Sequence, residues 1–180
     1  MRIGIPRETK TLEGRVALVP AACADLVRRG HEVWVESQAG IKSGFDDSHY
    51  QKVGVKIAPD AAALYDKGEM IVKVKEPQPV ECAMLRPGQI LYTYLHLAPD
   101  PEQTAALVAS GAVCVAYETI TGPGGGLPLL APMSEVAGRM AVQAGAAHLE
   151  KSKGGMGVLL GGVPGVEPAA GDRRDAHGRA

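Results

Sequence analysis

Aromatic residues are scarce, at 4% of the 180 residues, so any core must be built mainly from aliphatic side chains. Cysteine is equally thin. Cys23, Cys82 and Cys114 are far apart, odd in number and set in apolar runs, which predicts small buried thiols and excludes a disulfide framework. No CxxC or Cys/His spacing exists, so a structural zinc site is excluded as well. Neither sign of charge dominates. The net charge of −1 argues against a nucleic-acid partner, which usually shows as a basic excess. No apolar run reaches the length of a membrane span, and the opening Met-Arg-Ile-Gly-Ile-Pro lacks the apolar stretch of a signal peptide. These absences fit a reducing, cytoplasmic setting.

What remains is an ordinary globular composition, 46% hydrophobic, with strand and helix signals in alternation. Arg2–Ile5 reads as a first strand ended by Pro6. Residues 20–29 read as a helix, with Pro20 at its first position and Gly30 as its stop. Glu32–Glu36 is a second strand. Asp60 caps a helix over Ala61–Lys67, and strands are expected at residues 70–74 and 90–95. Asp100 then caps a helix opening at Pro101, and a strand covers residues 113–117. Strands separated by helices imply crossover connections. The expectation is therefore an α/β fold, a doubly wound and mainly parallel sheet, over residues 1–120. A turn-rich Gly122-Pro123-Gly124-Gly125-Gly126 follows. Ser134 is expected to cap a helix over residues 135–151, rich in alanine and glycine, that packs closely on another element or connects two domains. After Val166 no aliphatic residue larger than alanine occurs, which predicts a disordered tail over residues 169–180.

Three residues able to do chemistry sit just past predicted strands. Ligands of open α/β sheets bind outside the carboxyl ends of the strands. Arg15, in the loop after the first strand, carries a planar guanidinium that can hold a carboxylate through two parallel hydrogen bonds. Lys75 closes Ile71-Val72-Lys73-Val74-Lys75, where Lys73 and Lys75 alternate and so share a face. Unpaired charge in an apolar strand is costly, so Lys73 either lines a sheet edge or pairs with a carboxylate. His96, after Tyr94-Leu95, has an imidazole whose ordinary pKa near ~6.5 suits proton transfer at neutral pH. On position alone, each of the three also fits a purely structural role. The glycine-rich stretch 154–165 invites comparison with a dinucleotide fingerprint, but the third glycine would fall at Leu160 and no strand–helix–strand unit follows.

Taken together, residues 1–168 resemble the amino-terminal part of alanine dehydrogenases. The resemblance is carried by Gly4-Ile5-Pro6-Arg7-Glu8, Arg15-Val16-Ala17-Leu18-Val19-Pro20 and Lys73-Val74-Lys75-Glu76-Pro77. It continues through Tyr94-Leu95-His96-Leu97-Ala98, Ala131-Pro132-Met133-Ser134-Glu135 and Gly161-Gly162-Val163-Pro164-Gly165. It implies an NAD-dependent interconversion of L-alanine with pyruvate and ammonium by a cytoplasmic hexamer. It assigns substrate binding to Arg15 and Lys75, acid/base catalysis to His96 and an NAD contact to Ser134. The family is similar to membrane transhydrogenase subunits, but these lack the histidine and lysine pattern found here at His96 and Lys75. The implied organisation is a substrate domain over residues 1–130 and a connecting helix and glycine-rich linker over 131–168. The NAD-binding domain would be missing. The last residues would form a non-family tail of frameshift origin, and the chain alone would be inactive, as a fragment that binds the keto acid or joins other subunits.

Overall fold

The computed structural model describes residues 1–169, which fall into two compact units, the first Met1–Thr119 and the second beginning at Ile120. The expectation of a disordered tail falls, apart from Ala169, outside the described residues.

The first unit holds a six-stranded sheet in the order β3-β2-β1-β4-β5-β6, with every neighbouring pair parallel. Its strands are β1 (Arg2–Ile5), β2 (Glu32–Glu36), β3 (Lys56–Ala58), β4 (Met70–Val72), β5 (Ile90–Thr93) and β6 (Val113–Ala116). The helices are α1 (Pro20–Arg28), α2 (Asp47–Gln51), α3 (Ala61–Lys67), α4 (Pro79–Cys82) and α5 (Pro101–Ser110). The strand order reverses direction between β1 and β4, which makes that gap the topological switch point of a doubly wound sheet.

Capping sets the helix starts. Asp60 accepts from the Ala63 amide at 2.8 Å and Asp100 from the Gln103 amide at 2.9 Å. Gly111, at φ 66°, ends α5 in the left-handed conformation that glycine adopts without strain. The core lies on both sheet faces. Ile5, Cys23, Val33, Val35 and Tyr50 form one buried cluster, and Leu64, Tyr65, Ile71, Leu91 and Leu107 form another. Val33 and Val35 join the first while Trp34 packs on the second, as alternate strand residues must. Gly4 lets α3 approach β1, because a Cβ there would stand 3.1 Å from both Leu64 Cδ2 and Ile71 Cδ1. Cys23 and Cys82 are buried free thiols and Cys114 is a half-buried one.

The structure corrects four expectations. β4 ends at Val72 and β5 at Thr93, each two residues early, because the chain bends at Val74–Lys75 and leaves the ladder after Thr93. Lys73 and Lys75 consequently part company: Lys73 is buried and Lys75 half-buried. The short elements β3, α2 and α4 were not expected. In the second unit, α6 covers Ala131–His148, so Ser134 lies inside its first turn rather than at its cap, with Pro132 tolerated at the start where no helical partner is needed for its nitrogen. Beyond α6 lie a short 3-10 turn at Lys151–Lys153 and a bridge between Val163 and Val166.

Candidate functional site

The loops after β1, β4 and β5 leave the same edge of the sheet, because the three strands are parallel neighbours. Each delivers one of the residues singled out in the sequence.

Arg15 is half-buried and gripped by Glu13. Its Nε donates to Glu13 Oε1 at 2.8 Å and its Nη2 to Oε2 at 2.6 Å, while its backbone amide donates to Oε1 at 2.8 Å. The hydrogen bonds from Arg15 hold the Glu13 carboxyl down at about 2, with the charge of Lys75 adding a smaller pull in the same direction. Lys75 therefore stands within electrostatic reach of the Arg15–Glu13 pair. Its carbonyl accepts the Thr93 hydroxyl at 2.9 Å, which ties the β4 exit to β5.

His96 is exposed and has a left-handed backbone, with φ 48°. Its ring stacks against Tyr94, with centroids 6.0 Å apart and planes 14° from parallel. Burial raises the Tyr94 hydroxyl's pKa and the charge of Arg15 pulls it back, so Tyr94 lies in reach of both Arg15 and His96. Glu76 gathers the β4 side. It ion-pairs with Lys10, and its Oε2 is buried without a hydrogen-bond partner. Burial pushes its carboxyl up, but Lys10 and the nearby His96 prevail and leave it lowered.

Two clefts flank this edge. One of about 370 Å³ is lined by Arg7, Glu8, Glu13, Arg15, Gln38 and Lys42. The other, of about 310 Å³, is lined by Lys10, Glu76, Gln78, Asp100 and Gln103. Arg15 borders the first, and Lys75 and His96 border neither. The edge thus gathers Arg15, Lys75 and His96 through Glu13, Tyr94 and Glu76, without enclosing them in one cavity. Sequence reasoning missed Glu13 and Glu76. Glu13 stands two residues before Arg15 and Glu76 next to Lys75, and those spacings were the available signal.

Ser134 belongs to the second unit, where it is half-buried in the first turn of α6. A dinucleotide cradle needs a glycine turn leading from a strand into a helix. The glycine-rich stretch after α6 makes turns and one bridge but opens no helix, so the described residues form no such cradle. Among the described residues no His/Cys/Asp/Glu cluster could hold a metal ion, and no helix is long and apolar enough to cross a membrane.

The fold and its edge define a doubly wound α/β domain with basic side chains gathered at the carboxyl ends of its central strands. The chain belongs to the family described as alanine dehydrogenase/PNT, N-terminal domain, which it matches over residues 4–137. Residues 141–171 match the corresponding C-terminal domain. An alanine dehydrogenase of Halomonas elongata is 57% identical over 169 residues, covering 94% of this chain and 46% of that protein. A solved L-alanine dehydrogenase superposes with a TM-score of 0.83 at 50% identity, over 94% of this chain and 46% of that one. A transhydrogenase from Sinorhizobium meliloti superposes with a TM-score of 0.62 at 28% identity, over 66% of this chain and 34% of that one. The chain spans about half the length of the curated relatives it matches.

Proposed function

We propose that this chain is the substrate-binding half of an alanine dehydrogenase, which interconverts L-alanine with pyruvate and ammonium. One observation carries the reading: a guanidinium, an ammonium and an imidazole leave three adjacent parallel strands at the switch point, Arg15 and Lys75 within reach of Glu13 and Arg15 and His96 within reach of Tyr94.

Arg15 pairs with the pyruvate carboxylate, and Glu13 fixes the guanidinium's orientation for it. Lys75 faces the carbonyl oxygen and stabilises the negative charge that grows there when ammonia adds to the carbon. His96, as imidazolium, gives its proton to that oxygen; the imidazole then takes a proton from the added ammonium nitrogen, leaving the neutral carbinolamine, and returns it to the hydroxyl, which departs as water to give the iminium. In the direction of alanine oxidation each proton transfer runs in reverse. NAD is the hydride carrier the family reaction calls for, and Ser134 is the residue of this chain assigned to touch it. The described residues do not cradle that group. A hexameric assembly and a cytoplasmic setting complete the reading. The described residues bind the keto acid, and turnover needs the nicotinamide held against the substrate.

A transhydrogenase subunit is the second reading, favoured by the Sinorhizobium meliloti likeness. It is the weaker one, since the alanine dehydrogenases are closer in identity and cover more of the chain.

Titration with pyruvate followed by calorimetry and by amide NMR tests the proposal. Pyruvate should perturb Arg15, Lys75 and His96, and Arg15→Ala should weaken binding by about tenfold or more, the effect of losing a charged hydrogen-bond pair. Undetectable binding to the folded chain, or binding that ignores Arg15→Ala, would sink the assignment.

A further inference from the structure

His96 is one of three residues other than glycine with a positive φ among the described residues, at 48°. A side chain with a Cβ is strained there, and such strain persists only where neighbours over-determine it. The neighbour here is Glu118, in the short turn that follows β6. Its Oε1 accepts the His96 amide at 2.8 Å and the Leu95 amide at 3.0 Å, and its Oε2 lies 3.3 Å from the Leu95 nitrogen. One carboxylate thus grips two successive amides across the gap between β5 and β6.

The same turn also supports the imidazole. Tyr117, next to Glu118, meets Tyr94 edge-on at 4.9 Å and Tyr92 edge-on at 4.4 Å. Tyr94 in turn is the ring on which His96 stacks. Backbone and ring of His96 are therefore both referred to residues 117–118, so a shift of this turn would move the imidazole as a unit.

We infer that Glu118 is the positioning residue for His96: its carboxylate holds the left-handed backbone that lays the imidazole on Tyr94 at the mouth of the substrate edge. The inference rests on the acid/base assignment of His96 made above, and it adds the group that fixes where the proton is presented. Glu118 touches no substrate and acts only through His96. Its carboxylate accepts amides on the β5 exit, so a change there alters the presentation of the imidazole while Arg15 and Lys75 stay in place.

The test uses the full chain and NMR. In the parent, cross-peaks connect the Tyr94 and His96 rings, and added pyruvate shifts Arg15, Lys75 and His96. In Glu118→Ala the ring cross-peaks should weaken by about fivefold or more, and pyruvate should still shift Arg15 and Lys75 but no longer His96, as expected when a hydrogen-bonded anchor is lost. Glu118→Gln keeps an acceptor oxygen for both amides and should retain the cross-peaks. A second measurement covers the case in which Glu118→Ala is too unstable to study. In a His96→Gly background, glycine adopts the left-handed backbone without strain, so removing Glu118 loses the hydrogen bonds with no strain relief to offset them and should shift the urea midpoint more than in the parent. Intact cross-peaks in Glu118→Ala, equal loss in Glu118→Gln, or equal midpoint shifts in both backgrounds overturn the inference. If pyruvate moves none of the three residues in the parent, the substrate assignment fails, while the cross-peaks and midpoints still decide the role of Glu118.

Discussion

Lys73 donates to Glu81 Oε1 at 2.7 Å and to Glu8 Oε2 at 3.2 Å, with 1% of its side chain exposed. Glu8 Oε1 accepts the Val74 amide at 2.7 Å, Glu81 Oε2 accepts the Gln78 amide at 2.7 Å, and the Tyr65 hydroxyl donates to Glu81 at 3.3 Å. The triad joins the exit of β1 to the exit of β4 beneath the candidate site. It answers the alternative left open in the sequence: Lys73 pairs with carboxylates.

Removing the ammonium should therefore be severe. Lys73→Met leaves two buried carboxylates facing each other, and a buried ion pair broken on one side costs about 3–5 kcal/mol. Neutralising the whole group, with Glu8→Gln, Lys73→Met and Glu81→Gln together, should recover most of that loss, since replacing a complete buried network is often neutral. Urea unfolding measures both. A Lys73→Met chain within about 1 kcal/mol of the parent would show that the triad is not a closed electrostatic unit.

The sheet was largely legible in the sequence because its central strands are apolar runs bounded by glycine and proline, and its longer helices begin at proline or at a capping aspartate. β3 is a three-residue strand at the sheet edge that begins with an exposed lysine, so it carries no hydrophobic period. α2 and α4 span only a turn or so and are set by Asp46 and by the reciprocal Gln78–Glu81 cap, which are local hydrogen bonds rather than periodic patterns. The basic residues of the site were legible from their places after strands. Their acidic partners were less so, because Glu8 meets Lys73 and Glu118 meets His96 only through contacts between distant loops.

Acid should weaken the fold in a window set by Glu13. Its folded carboxyl is held at about 2 by Arg15, below its ordinary 4.5. A depressed carboxyl contributes stability that is fully present above the unfolded pKa and is lost as the pH falls through the folded one. The Glu13 contribution should therefore decline between about pH 4.5 and 2. Glu8 runs the other way: burial raises its carboxyl even against the pull of Lys73, so its contribution is present below 4.5 and fades as the pH rises through the folded value. Urea unfolding at a series of pH values checks both signs. Glu13→Gln should flatten the acid limb, and Glu8→Gln should compare better with the parent at neutral pH than at pH 4. An unchanged acid limb in Glu13→Gln contradicts the first.

The loop after β2 tolerates no side chain at position 40. A Cβ on Gly40 would stand 2.7 Å from the Phe45 carbonyl oxygen and 2.8 Å from the Tyr50 hydroxyl oxygen. Tyr50 is fully buried and its hydroxyl donates to the Leu18 carbonyl at 3.0 Å, so it cannot swing aside cheaply. Gly40→Ala should cost about 1–3 kcal/mol, the usual range for overpacking. Thermal or urea unfolding reads it, and a neutral result would mean that the loop shifts as a body without loss.

Thr93 links fold stability to substrate binding most directly. It is fully buried, ends β5, and its hydroxyl donates at 2.9 Å to the carbonyl of Lys75, whose ammonium is assigned to the substrate. Thr93→Val keeps the shape and deletes that donor, so stability should fall by about 1 kcal/mol. Pyruvate affinity should fall by a further factor of about three to ten in the fully folded protein, because the loop that aims Lys75 loses its tether. Thr93→Ser keeps the donor and should restore affinity while remaining less stable for want of the methyl group. Calorimetry at a temperature well below unfolding separates the two effects. If Thr93→Val binds pyruvate as tightly as the parent, the tether serves the sheet alone and the aim of Lys75 is set by other contacts.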